Sequence, residues 1–156
     1  VLAAVTASAR AVAGCNHRPL GAMRYLAAAS PAVVHQHFAD GVDAASLARA
    51  PSLVFSPKDE LQTRWVRRLC GRHVELPRHT LPSSQAFVVA ATAGMGWGLH
   101  PEALIAEHLR QGTLVALLPN LPLDVPLYWQ HARATSALLD GLTQAVVAAF
   151  RGHLAP

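Results

Sequence analysis

Residues 80–101 read TLPSSQAFVVAATAGMGWGLHP, and this stretch decides the fold. A short apolar segment ends at Pro82, and the serines at 83 and 84 stand where helix N-caps usually stand. Small residues then form a helix body, and the glycines of 94–98 return the chain to a buried strand. That strand closes at His100, and Pro101 starts the next helix. The stretch is therefore predicted to be a helix, a strand and a second helix of an α/β protein.

The serine pair at the start of the predicted helix admits two interpretations. A serine at this place lies beside free backbone N–H groups and the positive end of the helix dipole, which together favour a carboxylate or a phosphate. Most serines at helix starts, however, do nothing but cap the helix. The local sequence leaves both roles open.

The composition excludes several classes of protein. The chain has 156 residues, enough for one domain or two small lobes with a core. Apolar residues make up 52% and charged residues 14%, so neither a disordered chain nor a coiled coil is expected. The longest uncharged run, 80–99, is broken by a proline and three glycines and does not predict a membrane span. The formal charge of +4 is spread thinly, apart from one cluster, and does not predict nucleic-acid binding by this chain. The cluster comprises Arg64, Arg67, Arg68 and Arg72.

The start of the chain and its cysteines bear on the cellular context. The first residue is Val1, and the apolar run that follows is too short for a signal peptide, so we expect the chain to begin within a longer protein. Cys15 and Cys70 lack C-x-x-C spacing. Without an export signal, this predicts reduced thiols in a cytoplasmic protein.

Strand and helix patterns alternate along the whole chain. This alternation predicts a mainly parallel sheet with helices on both faces. Residues 9–20 are expected to form a loop, and 74–81 an edge or irregular strand because it contains Pro77. The remaining strands are predicted at 1–8, 21–30, 52–55, 113–118 and 125–131, and the helices at 31–38, 44–50, 58–70, 86–93, 101–110 and 135–150.

Apolar stripes predict which helix faces are buried. In helix 58–70 the predicted core face holds Leu61, Trp65 and Leu69, and the arginines at 64, 67 and 68 fall on a solvated face. In the last helix the predicted core face holds Leu138, Leu142, Val146 and Ala149.

Two motifs suggest chemistry that their spacing does not support, and a third motif is missing. The glycines at 94, 96 and 98 follow a helix and precede a strand, the reverse of a dinucleotide fingerprint, so they are expected to serve packing and turning. The pair His35-x-His37 on a helix would place its rings about 200° apart, which is poor for one metal ion. No G-x-S-x-G motif is present for a hydrolase. No metal, cofactor or catalytic centre is predicted.

Asp59 also has two possible roles. It lies between the end of a predicted strand and the start of a helix, where it could cap that helix. It could equally face a cationic group of a ligand, since ligands of open α/β sheets bind at the carboxyl ends of strands. Opposite-sign anchors at Asp59 and at the serine pair would suit an amino acid with a basic side chain.

Four segments together resemble the effector-binding domain of LysR-type transcriptional regulators. They are APSLVFSPKDELQ (50–62), the stretch 81–101, LRQGTLVALLP (109–119) and VPLYWQ (125–130). Within that family the first and last are most similar to the ArgP/LysG branch, which senses lysine and arginine and controls basic amino acid export.

The resemblance covers essentially the whole chain and implies a periplasmic-binding-protein-like (type II) α/β fold of two lobes. Two crossing strands would join the lobes, at 21–30 and 125–131. Residues 24–123 would form a complete second lobe, and 1–23 with 124–156 a truncated first lobe. The N-terminal winged helix-turn-helix that binds DNA in the family is expected to be absent from this chain.

The resemblance also implies site residues. Ser83 and Ser84 match the serines that face the cleft between the lobes, and Asp59 matches an acidic position that could hold a distal amino or guanidino group. Thr6 and Ser8 match the loop on the opposite wall of the cleft. Core packing, rather than ligand contact, is expected of Trp97, His100 and Trp129.

The implied protein is a cytoplasmic sensor and not an enzyme. A basic amino acid would close the lobes and shift a conformational equilibrium. A homodimer or homotetramer would contact DNA only through the missing N-terminal domain, without a cofactor, a metal or a membrane. The alternative is a solute-binding protein of an amino acid transporter, which shares the fold; a transferase or hydrolase using Ser84 is a third possibility.

Overall fold

The computed structural model describes residues 2–154. Its backbone divides into two compact units, the first formed by residues up to Arg24 and from Asp124 onward, the second by Tyr25–Leu123. In chain order the elements are β1 (Ala3–Thr6), β2 (Cys15–Ala29), α1 (Pro31–His37), α2 (Ala44–Arg49), β3 (Ser52–Val54), α3 (Leu61–Cys70), β4 (Arg78–Thr80), α4 (Ser84–Thr92), β5 (Gly98–Pro101), α5 (Glu102–Gln111), β6 (Val115–Ala116), β7 (Leu123–Ala132), a 3-10 turn (Arg133–Thr135) and α6 (Ser136–Phe150).

The prediction of a mainly parallel sheet is wrong. Parallel pairing joins β3 to β4, which helix α3 connects, and the N–H of Leu53 extends it by donating to the carbonyl of Trp97 over 2.7 Å. The end of β2, by contrast, pairs antiparallel with β5 and with β6, and β1 pairs antiparallel with β7. A helix crossover enforces parallel pairing only between the strands it connects, whereas β2 and β7 pair with strands remote in sequence.

The N-terminal strands also differ from the prediction. β2 begins at Cys15, inside the predicted loop 9–20, and passes through Pro19. A proline argues against a strand because it lacks an N–H. Here that local signal is outweighed by the pairing of β2 with β7. β1 is shorter than the predicted strand 1–8 and is partly exposed rather than buried; Val1 lies outside the described residues.

The glycines after α4 act in turning and packing, as predicted. Gly94 ends the helix at a φ of +84°, a conformation that favours glycine. A Cβ on Gly96 would lie 2.4 Å from the carbonyl oxygen of Pro51, and one on Gly98 would lie 2.7 Å from the ring of Phe87. The missing side chains therefore let β5 approach β3 and α4. The hydrophobic core of the second unit contains Leu26, Ala28, Leu53, Val88, Ala91, Ile105 and Leu114.

Helix α3 begins at Leu61, three residues later than predicted, and ends as predicted at Gly71, whose φ is +69°. Its buried face holds Gln62, Trp65 and Val66, so the predicted stripe is rotated about Trp65. The indole of Trp65 packs 5.5 Å from that of Trp97 and donates a hydrogen bond of 2.8 Å to the carbonyl of Leu121. These contacts turn the helix so that its leucines at 61 and 69 are only half-buried.

The first unit contains β1, most of β7 and helix α6. Trp129 on β7 is buried, as predicted for a core residue, and its indole N–H donates to Oγ1 of Thr143 on α6 over 2.9 Å. The predicted core face of α6 is not buried: Leu138 is 79% exposed and Leu142 is 49% exposed. The described residues do not cover this face. Within residues 2–154, no helix has the length and apolar character needed to cross a membrane.

Candidate functional site

A pocket of about 370 Å³ opens in the second unit beside β2 and β5 and at the end of β3. Both polar and apolar side chains form its wall, which suits a small ligand that carries charge on an aliphatic body. The polar residues are Tyr25, Ser56, Lys58, Asp59, Ser84 and His100, and the apolar ones are Phe55, Leu61, Phe87, Leu99, Pro101 and Leu104.

The loop between β3 and α3 folds around the carboxylate of Asp59. Its Oδ2 accepts the backbone N–H of Phe55 at 2.9 Å, and its Oδ1 accepts that of Leu61 at 3.0 Å. The N–H of Asp59 in turn donates to the carbonyl of Ser56 at 3.0 Å. Asp59 thus orders the start of α3 and also lines the pocket. Each carboxylate oxygen offers two lone-pair sites, so one site on each oxygen remains for a ligand.

Tyr25 brings a phenol to the same wall from strand β2. Partial burial, and then the nearby negative charge of Asp59, raise the pKa of Tyr25 above its ordinary value of 10.0. The hydroxyl therefore stays protonated at neutral pH and is available as a hydrogen-bond donor.

The two adjacent serines of the predicted site have different roles in the structure. Ser83 is the N-cap of α4, and its Oγ accepts the N–H of Ala86 at 3.3 Å. Ser84 is the first residue of the helix and lines the pocket. Asp59 and Ser84 therefore line the same pocket, whereas the Oγ of Ser83 caps the helix.

His100 is fully buried, as predicted for a core residue, and yet it borders the pocket. Burial, and then the charge of His108, lower its pKa from 6.5 to about 4, so the ring is neutral at pH 7. Neither ring nitrogen has a hydrogen-bond partner among the described residues. Ser84 therefore receives no activating hydrogen bond from this histidine.

Thr6 and Ser8, the other two predicted site residues, belong to the first unit. The Oγ1 of Thr6 accepts the N–H of Ser8 at 3.1 Å, and the Oγ of Ser8 accepts the N–H of Arg10 at 3.3 Å. Both hydroxyls thus shape their own loop. Their contact with a ligand stays a prediction.

Sequence reasoning missed Tyr25 and Phe55 as residues of the pocket wall. Phe55 did carry a signal, because it directly follows a buried strand, where ligands of α/β sheets bind. Tyr25 carried none, since it lies within a strand whose partners the sequence does not reveal. Between residues 2 and 154, no three His, Cys, Asp or Glu side chains are grouped so as to hold a metal ion.

Comparison with known proteins identifies similar chains. The family described as LysR substrate binding domain matches residues 3–152. The transcriptional regulator ArgP of Pseudomonas fluorescens Pf0-1 is 47% identical over 156 residues, which are 100% of this chain and 52% of the relative. The chain spans about half the length of the curated relatives it matches.

Two solved structures are similar over the whole chain. The C-terminal domains of a LysR family protein from Agrobacterium tumefaciens share 54% identity with a TM-score of 0.97, covering 100% of this chain and 75% of that one. Full-length LysG from Corynebacterium glutamicum with bound effector Arg shares 40% identity with a TM-score of 0.84, covering 100% and 52%.

Proposed function

The chain belongs to the LysR substrate-binding domain family, a family of transcriptional regulators and not of enzymes, and from this premise we propose that it senses a basic amino acid in the pocket of its second unit. Its fold is the periplasmic-binding-protein-like α/β fold of that family. We further propose that the ligand controls transcription through DNA contacts made by parts of the full-length protein outside this chain, acting as an oligomer. The named relatives favour this over the transporter alternative.

The observation that carries the proposal is the pocket that combines the Asp59 carboxylate with Ser84 and the start of α4. The carboxylate supplies the anionic partner for a distal ammonium or guanidinium group. The α-carboxylate of the ligand would pair with the hydroxyl of Ser84 and with the positive end of the helix. Lys58, also in the wall, adds a second positive partner for that carboxylate.

The distribution of apolar residues fits the same ligand. The aliphatic stem of lysine or arginine would be covered by Leu61, Leu99 and Leu104, which lie in the same wall. A cavity of about 370 Å³ has room for one such amino acid.

The test is ligand-induced stabilisation of the full-length protein. L-arginine or L-lysine at 100 times its Kd should stabilise the fold by about 2.7 kcal/mol, measured as a rise in Tm, whereas norleucine, which lacks the distal cation, should not. Asp59→Asn removes the negative charge and should abolish the difference in Tm rise between the basic amino acids and norleucine. The matched substitution of an exposed acid, Asp140→Asn, should preserve it.

The proposal fails if neither basic amino acid stabilises the wild-type protein. It also fails if Asp59→Asn responds as the wild type does. Because Asp59 also holds the start of α3, each variant is compared with its own unliganded Tm.

A further inference from the structure

We propose that Phe55 is a specificity-determining residue of this pocket, whose ring covers a guanidinium group bound to Asp59 and makes the pocket prefer arginine to lysine. This inference rests on the proposed function and names which basic amino acid the site is built for. It depends on the lone pairs that Asp59 keeps free and on the way the backbone of Phe55 is fixed to that carboxylate.

Backbone N–H groups of the protein occupy half of the hydrogen-bond acceptor sites of the Asp59 carboxylate. One backbone N–H binds each of its oxygens, from Phe55 at 2.9 Å and from Leu61 at 3.0 Å. The remaining acceptor sites are thus shared evenly, one on each oxygen. A guanidinium group presents two parallel N–H donors at the spacing of the two carboxylate oxygens and can therefore bind both oxygens at once. An ammonium group is a point charge without that planar fork, so it is not matched to both sites in the same way.

Phe55 is placed to complete this arrangement. Its backbone N–H is the donor to Oδ2, so the residue that carries the ring is fixed to the carboxylate by a direct hydrogen bond. Its side chain lines the pocket and is 46% exposed, so it is accessible to a ligand. A flat, weakly hydrated guanidinium covers an aromatic face better than a compact, strongly hydrated ammonium does. Covering the ring would therefore favour arginine.

The pocket contains a matched control residue. Leu104 is also apolar, also lines the pocket and is 47% exposed, but it has no π face. Truncating Leu104 would remove contact with the aliphatic stem that both ligands share. It should therefore change the two affinities by the same factor.

The experiment measures the Kd of L-arginine and of L-lysine by calorimetry, using the full-length protein and its variants Phe55→Leu, Phe55→Trp and Leu104→Ala. We expect the wild type to bind arginine more tightly. Phe55→Leu should reduce the ratio of the two affinities by about 2- to 5-fold, the size of one exposed cation–π contact. Phe55→Trp, which keeps an aromatic face, should preserve the ratio or raise it, and Leu104→Ala should leave it unchanged.

The binding results distinguish the role of Phe55 from the proposed function of the pocket. A wild type that prefers lysine, or a ratio that Phe55→Leu leaves unchanged, overturns the role of Phe55 while the proposed function stands. A ratio that falls equally in Leu104→Ala overturns it too, because a general loss of pocket shape would then be the cause. A wild type that binds neither amino acid overturns the proposed function itself. Because Phe55 and Leu104 are both nearly half exposed, all three variants should fold, which their unliganded Tm values check.

Discussion

The ring of His100 meets the ring of Phe87 edge-on, with centroids 5.0 Å apart and planes inclined by 69°. Both side chains are buried and both border the pocket. In this position the ring of the histidine is shielded from solvent, and no acid is paired with it among the described residues. Its neutral form is therefore strongly favoured in the folded chain.

This burial predicts a loss of stability in acid. The pKa of His100 is about 4 when folded and about 6.5 when unfolded, so between these values the unfolded state binds more protons. The free energy of unfolding should then fall by about 1.4 kcal/mol for each pH unit as the pH drops from 6.5 towards 4. Urea unfolding at several pH values measures this slope. His100→Gln should flatten it, and the exposed control His79→Gln should not; equal slopes in all three proteins would contradict the prediction.

The two serines of the helix start should separate stability from binding. Ser83→Ala removes the N-cap of α4 and should lower the free energy of unfolding by about 1 kcal/mol, with the affinity for arginine unchanged. Ser84→Ala should weaken the binding of arginine and leave the free energy of unfolding unchanged, because Ser84 lines the pocket and does not cap the helix. Chemical unfolding and calorimetry of both variants give the two quantities. The assignment is wrong if Ser83→Ala is the variant that weakens binding.

The close approach of β5 to β3 should make Gly96 intolerant of a methyl group. Gly96→Ala would place a Cβ 2.4 Å from the carbonyl oxygen of Pro51, a backbone atom that cannot rotate away. We expect a destabilisation of about 1–3 kcal/mol. Gly141→Ala, within helix α6 and with open space around its Cβ, should instead be neutral or stabilise by up to about 1 kcal/mol. Comparing the two Tm values tests this; a neutral Gly96→Ala would refute the close contact.

The neighbouring tryptophans Trp65 and Trp97 should respond differently to the same substitution. Trp65→Phe breaks the hydrogen bond to the carbonyl of Leu121 and should cost about 1–3 kcal/mol beyond the lost packing. Trp97→Phe should cost less, since the indole N–H of Trp97 is buried without a partner in the described part of the chain. The urea midpoints of the two variants show which substitution lowers the stability more. The reverse order would show that Trp97 holds the more important polar contact.

Local signals predicted those parts of the fold that depend on neighbours in the sequence. Ser30 before Pro31 starts α1, and Asp43 starts α2 through reciprocal hydrogen bonds with Ser46. Gly71 and Gly112 end α3 and α5 in left-handed conformations. Helix caps and C-terminal glycines of this kind could be predicted from the sequence because their hydrogen bonds span three or four residues.

Strand partners and buried faces were decided over longer distances. The antiparallel partners of β2 lie far along the chain, so the alternation of strands and helices did not reveal them. The face of α3 was fixed by contacts of Trp65 with Trp97 and Leu121, which rotate the helix away from its leucine stripe. Apolar periodicity shows that a helix has a buried side but not which neighbour settles its rotation.

The sequence by itself indicated the family, the residues that cap or end several helices, and Asp59 and Ser84 as candidate ligand residues, because each depends on residues at short spacing. Only the tertiary structure decided that Ser84 rather than Ser83 enters the pocket, and that Tyr25 and Phe55 join Asp59 there. The physical reason is that a pocket wall is built from residues of several strands, and the pairing that brings those strands together is a long-range property of the sheet.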